Sequence, residues 1–273
     1  MITVHMIGNA HLDPAWLWDT VAGSDAAIAT ARSACDRLDE YPELIFTCDS
    51  SWFHRRVEEA DPALFRRIRA FVQSARWQLV GGMVVQSDCN LPSAESMVRQ
   101  LKFGQAYFRE RLGRAATVGY SLDPFGHGAY MPRFLREAGL DSYVFMRPGP
   151  QQKELPSGLF RWRSPDGHEV LAFRIPDSYL TWDVEIAPHV EAALGAVPEG
   201  VGHTMCFFGV GDHGGGPTKA QIEWIMEHRD AMPGARLVFS HPAARPSGPP
   251  KSCRSTASAA TAARWTRPGR RCC

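Results

Sequence analysis

His11 and Asp13 stand two residues apart behind an apolar opening run, Ile2-Thr-Val-His-Met-Ile-Gly8, in the string Asn9-Ala-His-Leu-Asp-Pro-Ala-Trp16-Leu-Trp18-Asp19. A strand alternates its side chains with period two, so an imidazole and a carboxylate at this spacing emerge on one face of the strand tip. One ring nitrogen and one carboxylate oxygen are half of a zinc-type ligand set. The plainer alternative is a capped strand end, with Asp13 capping a helix that Pro14 opens. A second carboxylate in a similar setting shifts the balance: Asp123, in Ser121-Leu-Asp-Pro-Phe-Gly-His127, follows the apolar run 115–121. A third, Asp212, sits in Gly209-Val-Gly-Asp-His-Gly-Gly-Gly-Pro217 after another apolar run. Glycines there allow close approach of backbone to a ligand. The segment lacks the G-K-[ST] pattern of a phosphate loop, and a glycine-rich helix entry capped by Asp212 is its structural alternative.

Two carboxylates and a metal suit hydrolysis. Asp123 could bind the ion and attack an anomeric carbon, while Asp212 could donate the proton to the leaving oxygen. Trp16 and Trp18 would offer an apolar platform to a sugar face. Core packing is the other role open to both, and to Trp18 more than to Trp16.

The elements that must position these residues alternate. Strand patterns fall at 2–9, 44–48, 77–81, 115–121, 142–146, 204–210 and 236–240, and helical patterns at 14–39, 50–75, 92–112, 128–139, 187–196 and 218–231. Such alternation predicts βα units on a mainly parallel sheet, open or closed into a barrel, with its sites at the rim where strands end. Residues 158–175 break the pattern, and Pro165-Asp-Gly167 between two strand-like runs predicts an inserted hairpin.

The chain has 273 residues, 44% hydrophobic and 22% charged, which fits a soluble globular protein with a sizeable core. No stretch is long and apolar enough for a membrane span, and no signal-type segment opens the chain, so a cytoplasmic location is expected. Seven irregularly spaced cysteines fit reduced thiols. Residues 242–273 hold seven basic and no acidic residues, which leaves 23 basic against 29 acidic side chains in the first 241. That acidic body argues against a nucleic-acid partner. Residues 242–273 also lack Leu, Ile, Val, Phe and Met, so they cannot bury enough apolar area to order themselves. They read as a disordered basic tail, either natural or, as the favoured reading, the product of a reading frame lost near Ala243–Arg245.

Together the motifs resemble the alpha-mannosidases of glycoside hydrolase family 38. The resemblance rests on His11-Leu-Asp13-Pro-Ala-Trp16-Leu-Trp18, Val80-Gly-Gly-Met83, Asp88-Cys-Asn-Leu-Pro-Ser93, Asp123-Pro-Phe-Gly-His127, Ser142-Tyr-Val-Phe-Met-Arg-Pro148 and Gly209-Val-Gly-Asp-His-Gly-Gly-Gly-Pro-Thr218, in order over about residues 2–241. It implies an α/β fold, a seven-stranded β/α barrel-like catalytic domain over 1–241, incomplete at its C-terminal end. It also implies a bound Zn2+, other divalent ions serving in some members, with His11 and Asp13 as ligands and Asp123 as metal-bound nucleophile. Asp212 falls in the region of the proton donor. Asp88 and Arg147 align near the sugar pocket, and His127 supports the nucleophile loop beside it. The partner so implied is a mannose-containing oligosaccharide, cleaved with retention, with no nucleic-acid or membrane partner.

The chain departs from the pattern in three places. Gln86-Ser87 stands where many relatives carry an acidic residue before Asp88. A fourth ligand, a histidine in a later His-Arg-Gly-type segment, has no counterpart after His241, and the following helical bundle and β-sandwich are missing. Two other readings follow: an inactive truncated remnant with at most weak sugar or metal binding, and a metal-dependent carbohydrate deacetylase. The frame-loss reading predicts that sequencing the coding region around Ala243–Arg245 will uncover an alternative frame that continues the βα pattern; a region with no such frame makes the tail natural.

Overall fold

The computed structural model describes residues 1–155, 157–182, 184 and 186–244, so the tail expected from residue 242 lies almost wholly outside the described residues. The elements run β1 (Ile2–Asn9), α1 (Thr20–Glu40), β2 (Phe46–Cys48), α2 (Ser51–Ala60), α3 (Pro62–Gln73), β3 (Trp77–Leu79) and α4 (Ala94–Tyr107). A π-helical turn, Phe108–Leu112, extends α4. There follow β4 (Val118–Ser121), α5 (Met131–Glu137), β5 (Ser142–Phe145), β6 (Leu159–Arg163), β7 (Glu169–Arg174), α6 (Ala187–Gly195), β8 (His203–Phe208), α7 (Lys219–Glu227) and β9 (Ala235–Phe239).

β1 is the hub. β8 pairs with it in parallel from Thr3↔His203 to Gly8↔Phe208. β9 pairs with its first half, Ile2↔Ala235 to Met6↔Phe239, and β2 with its tip, Gly8↔Phe46 and Asn9↔Thr47. β3 extends this sheet beyond β2. A second sheet runs β4-β5-β7-β6, parallel except for the β6–β7 hairpin.

Among the described residues nine strands form two sheets, an α/β arrangement as expected but not a single seven-stranded barrel-like sheet. Two physical reasons account for the difference. The inserted hairpin is present, turning at Gly167 (φ +93°), but its second arm joins the sheet as a parallel neighbour of β5. After β3, Gly81 and Gly82 adopt φ of +77° and +73° and turn the chain away, so β3 meets β4 only where the Gly81 N–H donates to the Val118 carbonyl at 2.8 Å. Between the sheets Ile7, Val80, Val118, Tyr120, Leu122, Val144, Ile175 and Phe207 pack into an inner core, and a larger core lies beneath the helices.

Helix boundaries also move for identifiable reasons. α1 starts at Thr20, not at Pro14, because the Asp19 carboxylate accepts from the N–H groups of Val21 and Ala22. The stretch 50–75 is two helices: Pro62 cannot donate, and Asp61 caps α3 by accepting from Leu64 N at 2.9 Å. No helix among the described residues is long and apolar enough to cross a membrane.

His54 joins α2 to the core without charge. Its Nδ1 donates to the Ser50 carbonyl at 2.9 Å and its Nε2 accepts from the Trp77 indole at 3.1 Å. Complete burial lowers its pKa to about 4, and His127 is held near 4 for the same reason. A histidine whose folded value lies below its ordinary 6.5 stabilises the fold above that pH, and the stabilisation fades as pH falls towards 4. Urea midpoints should therefore fall between pH 6.5 and 4, His54 contributing up to about 1.4 kcal/mol per pH unit. His54→Leu should flatten that slope while costing roughly 1–3 kcal/mol at pH 7 through the orphaned Trp77 N–H; an unchanged slope contradicts the assignment.

Candidate active site

His11, Asp13 and Asp123 converge at the rim formed by the strand tips. Each offers one ligand atom, and these atoms lie within 4.8 Å of one another. His11 is 3% exposed, and neither of its ring nitrogens has a hydrogen-bond partner. Its Nε2 lies 3.5 Å from Asp13 Oδ1, too long for a good hydrogen bond. A buried imidazole without partners is costly, and it is relieved by a ligand. The residues present therefore fit a divalent cation: one nitrogen and two carboxylates is a zinc-type donor set with room for substrate or water.

The sequence positions the trio through β1 and β4. At the end of β1, buried Asn9 donates to the carbonyls of Tyr179 and Phe208 at 2.8 and 3.1 Å, locking the tip against β8 and the segment after β7. Trp18 Nε1 donates to the Asp13 carbonyl at 3.0 Å, so the Asp13 loop folds back on itself. Asp13 caps nothing, since Asp19 caps α1. Beyond β4, the Arg147 guanidinium sits 2.9 Å from Asp123 Oδ1 and stacks over Phe125, 5.0 Å from its ring centre.

Asp212 reaches the same cluster through Tyr179. This hydroxyl lies 3.1 Å from Asp212 Oδ1 and 3.4 Å from Asp123 Oδ1, so one phenol spans both carboxylates. Asp212 is no helix cap either, because Thr218 and Gln221 form the capping box of α7. Its glycines are needed where backbones touch: at Gly209 (φ +129°) a Cβ would lie 2.1 Å from the Asn9 carbonyl oxygen. The loop is tied to the loop carrying His11 and Asp13 by Gly214 N donating to the His11 carbonyl at 3.0 Å and by Trp18 stacked on His213 at 3.7 Å.

The electrostatics favour a cation. Burial pushes the Asp123 carboxyl up, against the pull of Arg147 and His11. Burial raises Asp49 as well, with His11 and a Gln86 hydrogen bond opposing. Burial alone would lower His11, but Asp13 beside it and the fields of Asp49 and Asp123 leave it above its ordinary value. Crowded carboxylates favour bound protons, and a metal ion answers the same need.

The other expected residues divide. Trp16 is 63% exposed and packs edge-on against Trp18, 5.6 Å between centres, so it keeps a free face. His127 turns inward: its ring nitrogens meet the Arg147 carbonyl at 2.8 Å and the Tyr143 hydroxyl at 3.0 Å, bracing the Asp123 loop against β5. Asp88 uses one carboxylate oxygen to hold the N–H groups of Asn90 and Leu91 in its own loop. Sequence reasoning missed Tyr179 and Asp49. Asp49 carried a signal, an acid directly after β2, whereas Tyr179 sits in a segment with no motif.

Comparison with known proteins gives a consistent picture. The model of the family described as glycosyl hydrolases family 38 N-terminal domain matches residues 1–244. The chain is 29% identical over 226 residues to an alpha-mannosidase of Saccharomyces cerevisiae, covering 82% of this chain and 21% of that protein. It is 31% identical over 244 residues to alpha-mannosidase 2C1 of Homo sapiens, covering 86% and 23%. The chain thus spans about a fifth of the length of these relatives. A crystal structure of an alpha-mannosidase from Enterococcus faecalis V583 superposes with TM-score 0.75 at 19% identity, over 88% of this chain and 28% of that one, a likeness of fold.

The donor set predicts a readout independent of catalysis. Zinc at about 100 times its dissociation constant should stabilise the chain by about 2.7 kcal/mol, seen as a raised melting temperature that a chelator reverses. His11→Ala and Asp13→Ala should each abolish the rise; a rise of equal size in either variant contradicts the site.

Proposed function

Because the chain belongs to glycosyl hydrolase family 38, whose N-terminal domain model covers residues 1–244, we propose that residues 1–241 form a catalytic domain for retaining, metal-dependent hydrolysis of terminal alpha-mannosyl residues of glycans. The observation that carries this reading is the convergence of His11, Asp13 and Asp123 within 4.8 Å, next to a second acid that the Tyr179 hydroxyl links to Asp123. The alpha-mannosidase relatives supply the substrate class.

His11, Asp13 and Asp123 would hold a divalent cation, zinc by the donor set. Such an ion supplies positive charge for sugar hydroxyls and helps orient the ring. Asp123 acts as nucleophile. Its carboxylate attacks the anomeric carbon and forms a glycosyl ester, which water then hydrolyses with net retention. Arg147, 2.9 Å away, favours the ionised carboxylate that attack requires. Asp212 acts as acid and then base, giving a proton to the leaving oxygen and later taking one from water. Tyr179 holds Asp212 in place through its hydroxyl at 3.1 Å and spaces it from Asp123. Trp16 presents its exposed face to the sugar, and Asp88 and His127 shape the walls by fixing their loops. Four buried free thiols, Cys35, Cys48, Cys89 and Cys206, support a cytoplasmic setting.

An aryl alpha-mannoside tests the assignment. Zinc-loaded chain should release the phenol, and Asp123→Ala should reduce turnover by at least roughly a thousandfold. Asp212→Ala should slow cleavage of substrates with poor leaving groups far more than that of activated aryl mannosides. Acetate released from an N-acetylated sugar, with the mannoside intact, would favour a deacetylase; no turnover of either would favour an inactive chain.

A further inference from the structure

Gln86 lies on the loop between β3 and α4 and joins three strand tips through one side chain. Its amide oxygen accepts from the backbone N–H groups of Leu122 and Asp123 at 2.7 and 3.1 Å. Its amide nitrogen donates to Asp49 Oδ2 at 2.7 Å. Asp49 follows β2 directly and is 8% exposed. Gly81 stands behind it, where an added Cβ would come within 3.3 Å of the Asp49 Cβ. The backbone of Asp123 is therefore tied, through one amide, to a carboxylate held in the wall.

We propose that Gln86, held in place by buried Asp49, is the positioning residue that sets the backbone, and so the carboxylate, of Asp123. The proposal rests on the reading of Asp123 as ligand and nucleophile given above. The chemistry at position 86 is restrictive. Two N–H donors on one side require an acceptor, and a carboxylate on the other side requires a donor; a primary amide supplies both at once. These partners also fix which end of the amide faces which. Glutamate has the same shape, but it would set one carboxylate against another at the 2.7 Å now bridged by a hydrogen bond. Asp123 makes no helix, and its own N–H is bound by nothing but Gln86 in the hydrogen bonds described, so this tether sets its backbone while Arg147 and Tyr179 hold only its carboxylate. Small displacements matter here, since an error of about 1 Å in a reacting group can cost on the order of a hundredfold in rate.

The restriction provides its own test. In Gln86→Glu donor and acceptor no longer match. In the exchange Asp49→Asn with Gln86→Glu they match again with their roles traded: the amide now at position 49 donates, and the carboxylate now at position 86 accepts on both sides. Hydrogen exchange at the Leu122 and Asp123 amides should quicken by roughly tenfold in Gln86→Glu and return to the original rate in the double variant. Zinc affinity should fall about 10–100-fold in the single variant and recover in the double. Unchanged exchange and affinity in Gln86→Glu, or no recovery in the double variant, overturns the proposal. If Gln86→Glu does not fold, the double variant decides: a folded chain with the original exchange rates supports the proposal, and an unfolded one overturns it. Failure of the broader functional reading shows separately, as absent mannoside turnover in the unaltered chain, while the exchange rates still judge Gln86.

Discussion

Like charges brought together out of water are the constraint on which this structure turns. Asp13, Asp49 and Asp123 surround one buried imidazole, Asp212 stands beside Asp123, and Arg147 is the one guanidinium paired with them in the contacts described. Two carboxylates about 4 Å apart at a protein surface repel by roughly 4 kcal/mol, a large share of any domain's stability. Each acid has a separate device that makes it tolerable. Asp123 has the guanidinium, Asp49 the Gln86 amide, and Asp212 the Tyr179 hydroxyl. Asp13 has only His11 beside it at 3.5 Å, and neither His11 nitrogen has a hydrogen-bond partner. A divalent cation answers both deficits at once, and for that reason the cluster reads as a ligand set instead of a solvated acidic rim.

The surrounding fold holds that arrangement in place. The loops carrying His11 and Asp212 are joined by a backbone hydrogen bond from Gly214, by the short Leu12↔His213 bridge and by the stacked rings of Trp18 and His213. Within the Asp212 loop the backbone folds closer on itself than a side chain permits, since at Gly211 (φ +132°) a Cβ would fall 1.7 Å from the Gly214 oxygen. The glycines whose sequence suggests close approach of backbone to a ligand thus also serve close packing of backbone on backbone. Trp18 is thereby a joint between two loops, while Trp16 next to it stays open to solvent.

Much of this could be read from the residues because it depends on local periodicity. β1, β8 and β9 fall close to their apolar runs, and His11 and Asp13, just past the end of β1, come together with Asp123 as their spacing at a strand tip predicts. The hairpin at 158–175 was visible from its Pro-Asp-Gly turn, but its parallel docking beside β5 was not, since register with a distant strand leaves no local mark. For the same reason the division of the strands into two sheets, which meet at Gly81, left no mark in the sequence. In the site, residues on motif-bearing strand tips were legible. Tyr179 and the Gln86–Asp49 bridge were not, because their roles come from contacts such as |i−j| = 56 to Asp123 and 37 to Asp49. Gln86 is the clearest case: in sequence it marks only a departure from an acidic pattern, whereas in space it supports the Asp123 backbone.

X-ray absorption at the zinc edge, on chain loaded with one equivalent of metal, tests the shared cation most directly. The expected spectrum shows mixed nitrogen and oxygen scatterers near roughly 2.0–2.2 Å, with an imidazole signature that His11→Ala removes and an oxygen contribution that Asp123→Ala reduces. A fully hydrated ion, or a spectrum unchanged by both substitutions, would mean that these side chains do not hold a metal together.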